Sequence, residues 1–232
     1  MVEISASLLA ADFTCLGSEV RRAESADVNS FHFDLMDGHY VPNLALAPEH
    51  LHALRAFTPL PFNAHLELNN PDEVLQRFRP LEAQLITVCH DTLTHPLRTF
   101  ALIRAQGARV GLSLNPDEAI EESMELFSEL DLLLILGVAP GFGGQSMQPD
   151  TPARVFEARQ KRPSSEHSPL IAVDGGVKPE NAAILIQAGA DILILGTALF
   201  QAPSMKKVVR ALKTTDNGCS DPHLLQLDTH LP

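Results

Sequence analysis

The chain has 232 residues, 45% of them hydrophobic, and a formal net charge of −12 at pH 7. That length and apolar content support one large core in a single domain, whereas the acidic balance and the lack of any Lys/Arg-rich block exclude a nucleic-acid or anionic-membrane surface. An anionic ligand would have to be held by local dipoles rather than by a basic field. Cys15, Cys89 and Cys219 are odd in number, far apart and without CxxC spacing, so neither a disulfide framework nor a cysteine-type zinc site is indicated and a reducing cytoplasm fits. The N-terminus lacks a basic region followed by an apolar run, and no apolar stretch approaches about 20 residues, so no signal peptide or membrane span is expected.

Short apolar runs alternate with helix-like segments along the chain, the pattern of repeated βα units on a parallel sheet. Strands are expected over 3–9, 30–34, 62–67, 85–89, 109–114, 132–137, 170–174 and 192–195. Helices are expected over 17–26, 48–57, 71–79, 96–106, 118–130, 151–162, 179–188 and 204–212. Pro71, Pro96 and Pro179 suit a first helical turn, and Gly107 and Gly189 suit the position just past the last. Eight units are what a closed (β/α)8 barrel of the TIM type needs, whereas an open doubly wound sheet more often stops at five to seven strands. The expected organisation is therefore an α/β single-domain barrel over 1–213, followed by a loosely packed extension over 214–232 that carries no chemistry.

In a barrel of this kind, chemistry sits at the C-terminal ends of the strands. Period two places His32 and Asp34 on one face of the second strand and Phe31, Phe33 and Leu35 on the other. On the third strand Asn63, His65 and Glu67 share a face, and on the seventh Ala172 and Asp174 do. A lone strand histidine is more often a satisfied core residue or part of a solvated edge. Two imidazoles and two carboxylates at matching strand ends shift the balance toward a site for a divalent transition metal such as Zn²⁺, Fe²⁺ or Mn²⁺.

Glycines cluster after strands six (Gly141, Gly143 and Gly144, around Phe142), seven (Gly175 and Gly176) and eight (Gly196, before Thr197). One glycine pair is usually only a turn. Clusters at three consecutive strand ends match the phosphate cradle of such barrels, where backbone N–H groups attract an anion without lysine. None of the five lysines falls on an expected strand, which argues against a Schiff-base aldolase.

The stretches "SLLAADF", "HFDLMDGHYVPN", "NAHLELNNPD", "APGFGGQS", "VDGGV" and "AGADILILGTALF" together resemble the ribulose-phosphate 3-epimerases, over Ile4 to about Phe200. The resemblance implies a metal-dependent (β/α)8 epimerase of phosphorylated ketoses; a cytoplasmic homo-oligomer is the expectation set beside it. It carries metal-ligand roles to His32, Asp34, His65 and Asp174, with one divalent ion. Phosphate contacts would fall to Gly141, Phe142, Gly143, Gly144, Gly175, Gly176, Gly196 and Thr197, with Ser7 and His65 near the sugar. Epimerising a carbon beside a ketone requires removing its proton from one face and returning one to the other, roles that fit Asp34 and Asp174. Such proteins usually carry methionine where this chain has Glu67 and Leu136, aspartate where it has Asn63, and histidine where it has Cys89. These departures bear on substrate identity, ribulose 5-phosphate or a hexulose phosphate such as allulose 6-phosphate, more than on reaction type. A phosphosugar-binding barrel that has lost turnover and an isomerase of the tryptophan pathway are the competing readings; the isomerase would not need two histidines and two aspartates around a metal, and the binder would place no solvent deuterium at C3.

Overall fold

Along 30–36 every second residue is aromatic or aliphatic and the others include His32 and Asp34, so burying one face of this strand aims the other at a common interior. The computed structural model describes residues 1–163 and 168–218. It resolves this pattern into a closed barrel of eight parallel strands in sequence order: β1 (Glu3–Ser7), β2 (Ser30–Met36), β3 (Phe62–Glu67), β4 (Leu85–Cys89), β5 (Arg109–Leu114), β6 (Leu132–Leu136), β7 (Leu170–Asp174) and β8 (Ile192–Leu195). β8 pairs back onto β1, from Glu3 opposite Ile192 to Ala6 opposite Leu195. The helices outside are α1 (Leu16–Glu24), α2 (Pro48–Leu54), α3 (Pro71–Arg77), α4 (Pro96–Ala105), α5 (Thr151–Lys161), α6 (Pro179–Ala188), α7 (Thr197–Phe200) and α8 (Met205–Gly218). The expected (β/α)8 barrel is the observed architecture.

Several details differ from the expectation, among them β1, which ends at Ser7 rather than at residue 9. The segment expected as a helix over 118–130 is a 3₁₀ stretch, Ile120–Glu129, in which Ser123 Oγ donates to the Ile120 carbonyl three residues back. Such side-chain bonds compete with regular α-helical pairing. A four-residue helix, α7, follows β8 directly and is too short to leave a periodic signal. β2 runs two residues further than expected, to Met36, because its pairing with β3 continues to Met36 opposite Glu67. The last helix continues to Gly218 rather than stopping near 212. The remainder of the expected extension, 219–232, lies outside the described residues, as does Cys219.

The apolar residues form two bodies. The larger lies between sheet and helices and includes Phe31, Phe33, Phe62, Leu66, Val88, Leu112 and Phe100. The smaller fills one side of the barrel interior with Leu132, Leu134, Leu136, Ala172, Ile192 and Ile194. The other side, from β1 to β5, is polar and internally paired. Ser30 Oγ donates to Ser5 Oγ (2.9 Å) and Thr87 Oγ1 to Asn63 Oδ1 (3.2 Å). Polar groups out of water are tolerated where they are hydrogen-bonded, and this paired sector carries the candidate site. Among the described residues no helix is long and apolar enough to cross a membrane.

Candidate active site

Strand register brings the expected residues together. Ser7 lies opposite His32, Asp34 opposite His65, Met36 opposite Glu67, and Leu136 opposite Asp174. Both imidazoles converge on one oxygen: His32 Nε2 is 3.0 Å and His65 Nδ1 3.3 Å from Asp34 Oδ1. His32 Nε2 also stands 3.6 Å from Asp174 Oδ2, which links β2 to β7 across the floor of the barrel mouth. Ser7 Oγ donates to the other Asp34 oxygen, Oδ2, at 3.1 Å. His65 Nε2 meets Ser113 Oγ at 2.9 Å, which fixes the ring so that Nδ1 faces Asp34. Both imidazoles are fully buried.

These surroundings separate the carboxylates. Burial alone would raise the Asp34 pKa, but His32 and the hydrogen bonds from both imidazoles outweigh it and hold the group well below the usual carboxylate range. Asp174 is pushed up to about 6, chiefly by burial; His32 opposes the rise and Asp34 adds to it. Glu67 is pushed up to about 9 by burial and by the charges of Asp34 and Asp174, with the Gly141 N–H acting the other way. His32 is raised, since Asp34 and Asp174 overcome the effect of its burial, whereas burial leaves His65 lowered.

The donor set fits a divalent metal. Ligand atoms of His32, Asp34 and His65 lie within 4.8 Å of one another, with Asp174 beside them. Two imidazole nitrogens with carboxylate oxygens suit Zn²⁺, Fe²⁺ or Mn²⁺. Among the described residues, Asp34, Asp174 and Glu67 form no ion pair with lysine or arginine, so a bound cation would balance carboxylates otherwise gathered without one.

Above this floor opens a cavity of about 470 Å³ lined by Ser7, Asp34, Met36, Glu67, Leu136 and Asp174 below and by the three glycine clusters and Thr197 at the side. His32 and His65 are not among its lining residues; the two rings lie beneath the floor, so His65 supports the site from below. Gly176 has φ +69°, and a Cβ there would lie 2.3 Å from the Met147 backbone nitrogen. Only glycine lets the chain pass so close to Met147 at this positive φ. The loop after β6 is braced on both sides: Asn43 Nδ2 donates to the Gly141 carbonyl (2.7 Å), and Gln145 Nε2 to the Ala139 and Phe142 carbonyls (both 2.8 Å). Phe142 is half exposed at its tip.

The sequence reading missed a polar network beside the mouth. Tyr40 Oη donates to Asp91 Oδ1 (2.9 Å), Asn115 Nδ2 reaches both Tyr40 Oη and Asp91 Oδ2, and His90 Nδ1 meets Glu118 Oε1 at 2.7 Å. Its members come from three separate strand ends and share no spacing that would have joined them.

A family model described as the ribulose-phosphate 3 epimerase family matches residues 3–200. The ribulose-phosphate 3-epimerase of Bacillus subtilis (strain 168) is 35% identical over 214 residues, 92% of this chain and 99% of that protein. The Escherichia coli (strain K12) protein of the same name is 36% identical over 212 residues, 91% of this chain and 94% of that one. Among solved structures, 3-hexulose-6-phosphate synthase from Salmonella typhimurium superposes with TM-score 0.69 at 14% identity, covering 93% of this chain and 99% of that one. Orotidine 5'-phosphate decarboxylase from Pyrococcus horikoshii OT3 gives 0.66 at 15%, covering 93% and 99%. At such identities these structures bear on the fold alone.

Proposed function

This chain belongs to the ribulose-phosphate 3-epimerase family, and from that premise we propose that it interconverts D-ribulose 5-phosphate and D-xylulose 5-phosphate by moving a proton at C3. The observation that carries this reading is the pair Asp34 and Asp174. They are two carboxylates from strands three apart around the barrel, both within reach of His32 Nε2, and both line one cavity.

Inversion at C3 needs a base on one face and an acid on the other. Asp34, ionised and oriented by Ser7 and the two imidazoles, takes the proton from one epimer. Asp174, with the higher proton affinity, delivers one to the opposite face of the enediolate, and the roles exchange in the reverse direction. A divalent Zn, Fe(II) or Mn ion held by His32, Asp34, His65 and Asp174 would supply Lewis-acid stabilisation of the negative charge that develops on the substrate oxygens. The backbone amides around Gly176, Gly196 and Thr197 hold the phosphate, and the loop carrying Gly141, Phe142, Gly143 and Gly144 covers the substrate and excludes water. This reading puts the whole site within 1–213. It also places the protein in the cytoplasm, which the free thiols of Cys15 and Cys89 support, as a homo-oligomer.

The test is a panel of five- and six-carbon ketose phosphates assayed with metal-reconstituted protein. Turnover is expected, with ribulose 5-phosphate preferred. Absence of turnover on every member would overturn the reading in favour of a phosphosugar-binding barrel.

A further inference from the structure

Glu67 takes no part in the chemistry above, yet it ends β3 inside the barrel and lines the cavity. It is 4% exposed. Its Oε1 stands 3.7 Å from His65 Nδ1, and its Oε2 is buried without a hydrogen-bond partner. A carboxyl oxygen removed from water and left unpaired costs stability. An occupant of the cavity that brings a hydroxyl to this carboxyl offsets that cost.

The ring order says which part of the occupant this is. In a closed barrel of eight strands β3 lies four strands from β7, diametrically across the mouth. The glycine cradle is built on the ends of β7 and β8, and Asp34 and Asp174 flank the reacting carbon. A ketose 5-phosphate with its phosphate on the cradle and C3 between the aspartates has one end left free, the hydroxymethyl group at C1. That end runs away from β7 and β8, toward the wall where Glu67 stands.

Resting on the function proposed above, we infer that Glu67 is a specificity-determining residue that hydrogen-bonds the C1 hydroxyl of the ketose phosphate through its carboxyl group. A carboxyl oxygen accepts from a hydroxyl in either protonation state, so the contact does not depend on charge. The carbon that distinguishes a hexulose 6-phosphate from a pentulose 5-phosphate lies between C3 and the phosphate, on the far side from Glu67. The residue therefore reads the C1 end and is indifferent to chain length.

The experiment compares kcat/KM for xylulose 5-phosphate and its 1-deoxy analogue, using metal-loaded wild type, Glu67→Met and Glu67→Gln. Wild type is expected to disfavour the deoxy analogue by roughly 10- to 100-fold, because that substrate leaves a buried carboxyl unpaired. Glu67→Met should bring the two substrates to near parity, with the deoxy substrate turned over at least as well as by wild type; Glu67→Gln, which keeps a polar group there, should retain much of the preference. Equal handling of both substrates by wild type overturns the inference without any variant having to fold. So does a Met variant that keeps the wild-type ratio or lowers both rates equally. If wild type turns over neither substrate, the fault lies with the function proposed above rather than with the place of Glu67 alone.

Discussion

Asp34 and Asp174 are the same residue type in one cavity, and their neighbours make them different. Two imidazoles and the Ser7 hydroxyl surround Asp34, whereas Asp174 has one imidazole at 3.6 Å and its own Gly175 N–H at 2.7 Å. If they exchange protons with opposite faces of C3, removing either acidity breaks the cycle. Asp34→Asn and Asp174→Asn should each lower kcat by about 10³-fold or more, and wild-type turnover by either variant would refute the two-base assignment. These positions were legible in the sequence because period two fixes a strand's faces, so His32, Asp34, His65 and Asp174 had to share an interior once a barrel was inferred. The contact of His90 with Glu118 was not legible: it joins residues 28 apart across two loops, whose paths no local pattern sets.

At the scale of elements, the loop after β6 packs against the loop after β2, and the proposed function makes the pair one lid. Asn43 Nδ2 holds the Gly141 carbonyl, and Val41 packs so close to Gly141 that a Cβ there would meet it at 3.0 Å. Lids that close over phosphorylated substrates affect binding and turnover together. Asn43→Ala should therefore raise KM and lower kcat, by about 3- to 10-fold in kcat/KM, the value of one net hydrogen bond. Steady-state kinetics check this, and unchanged parameters would show the two loops acting independently. Strand positions followed from apolar runs bounded by Gly and Pro, and most strand bounds agree with the structure. The 3₁₀ stretch Ile120–Glu129 was not foreseeable from composition, since its choice over an α-helix turns on hydrogen bonds three rather than four residues apart. The short helix α7 escaped notice because four residues show no period.

Over the whole molecule, the barrel interior is divided into an apolar sector, centred on Leu134 and Ile194, and a polar one that ends in His32, Asp34 and His65, with Asp174 of β7 reaching across to His32. Under the proposed function, that division lets a chain of net charge −12 take a phosphorylated sugar: amides in the glycine loops would hold the anion, and a cation on the polar floor would offset the carboxylates. Treatment with a chelator should abolish epimerisation, and a divalent transition metal should restore it. Because the ion binds the folded site, its return should also raise Tm; full activity in a verified metal-free preparation would contradict the metal assignment. The central claim, proton exchange at C3 between Asp34 and Asp174, is tested most directly by incubating metal-loaded protein with ribulose 5-phosphate in D2O and reading C3 by NMR. The account predicts deuterium at C3 as xylulose 5-phosphate forms, lost on chelation; formation of xylulose 5-phosphate with hydrogen retained at C3, or no exchange and no product at all, would contradict it.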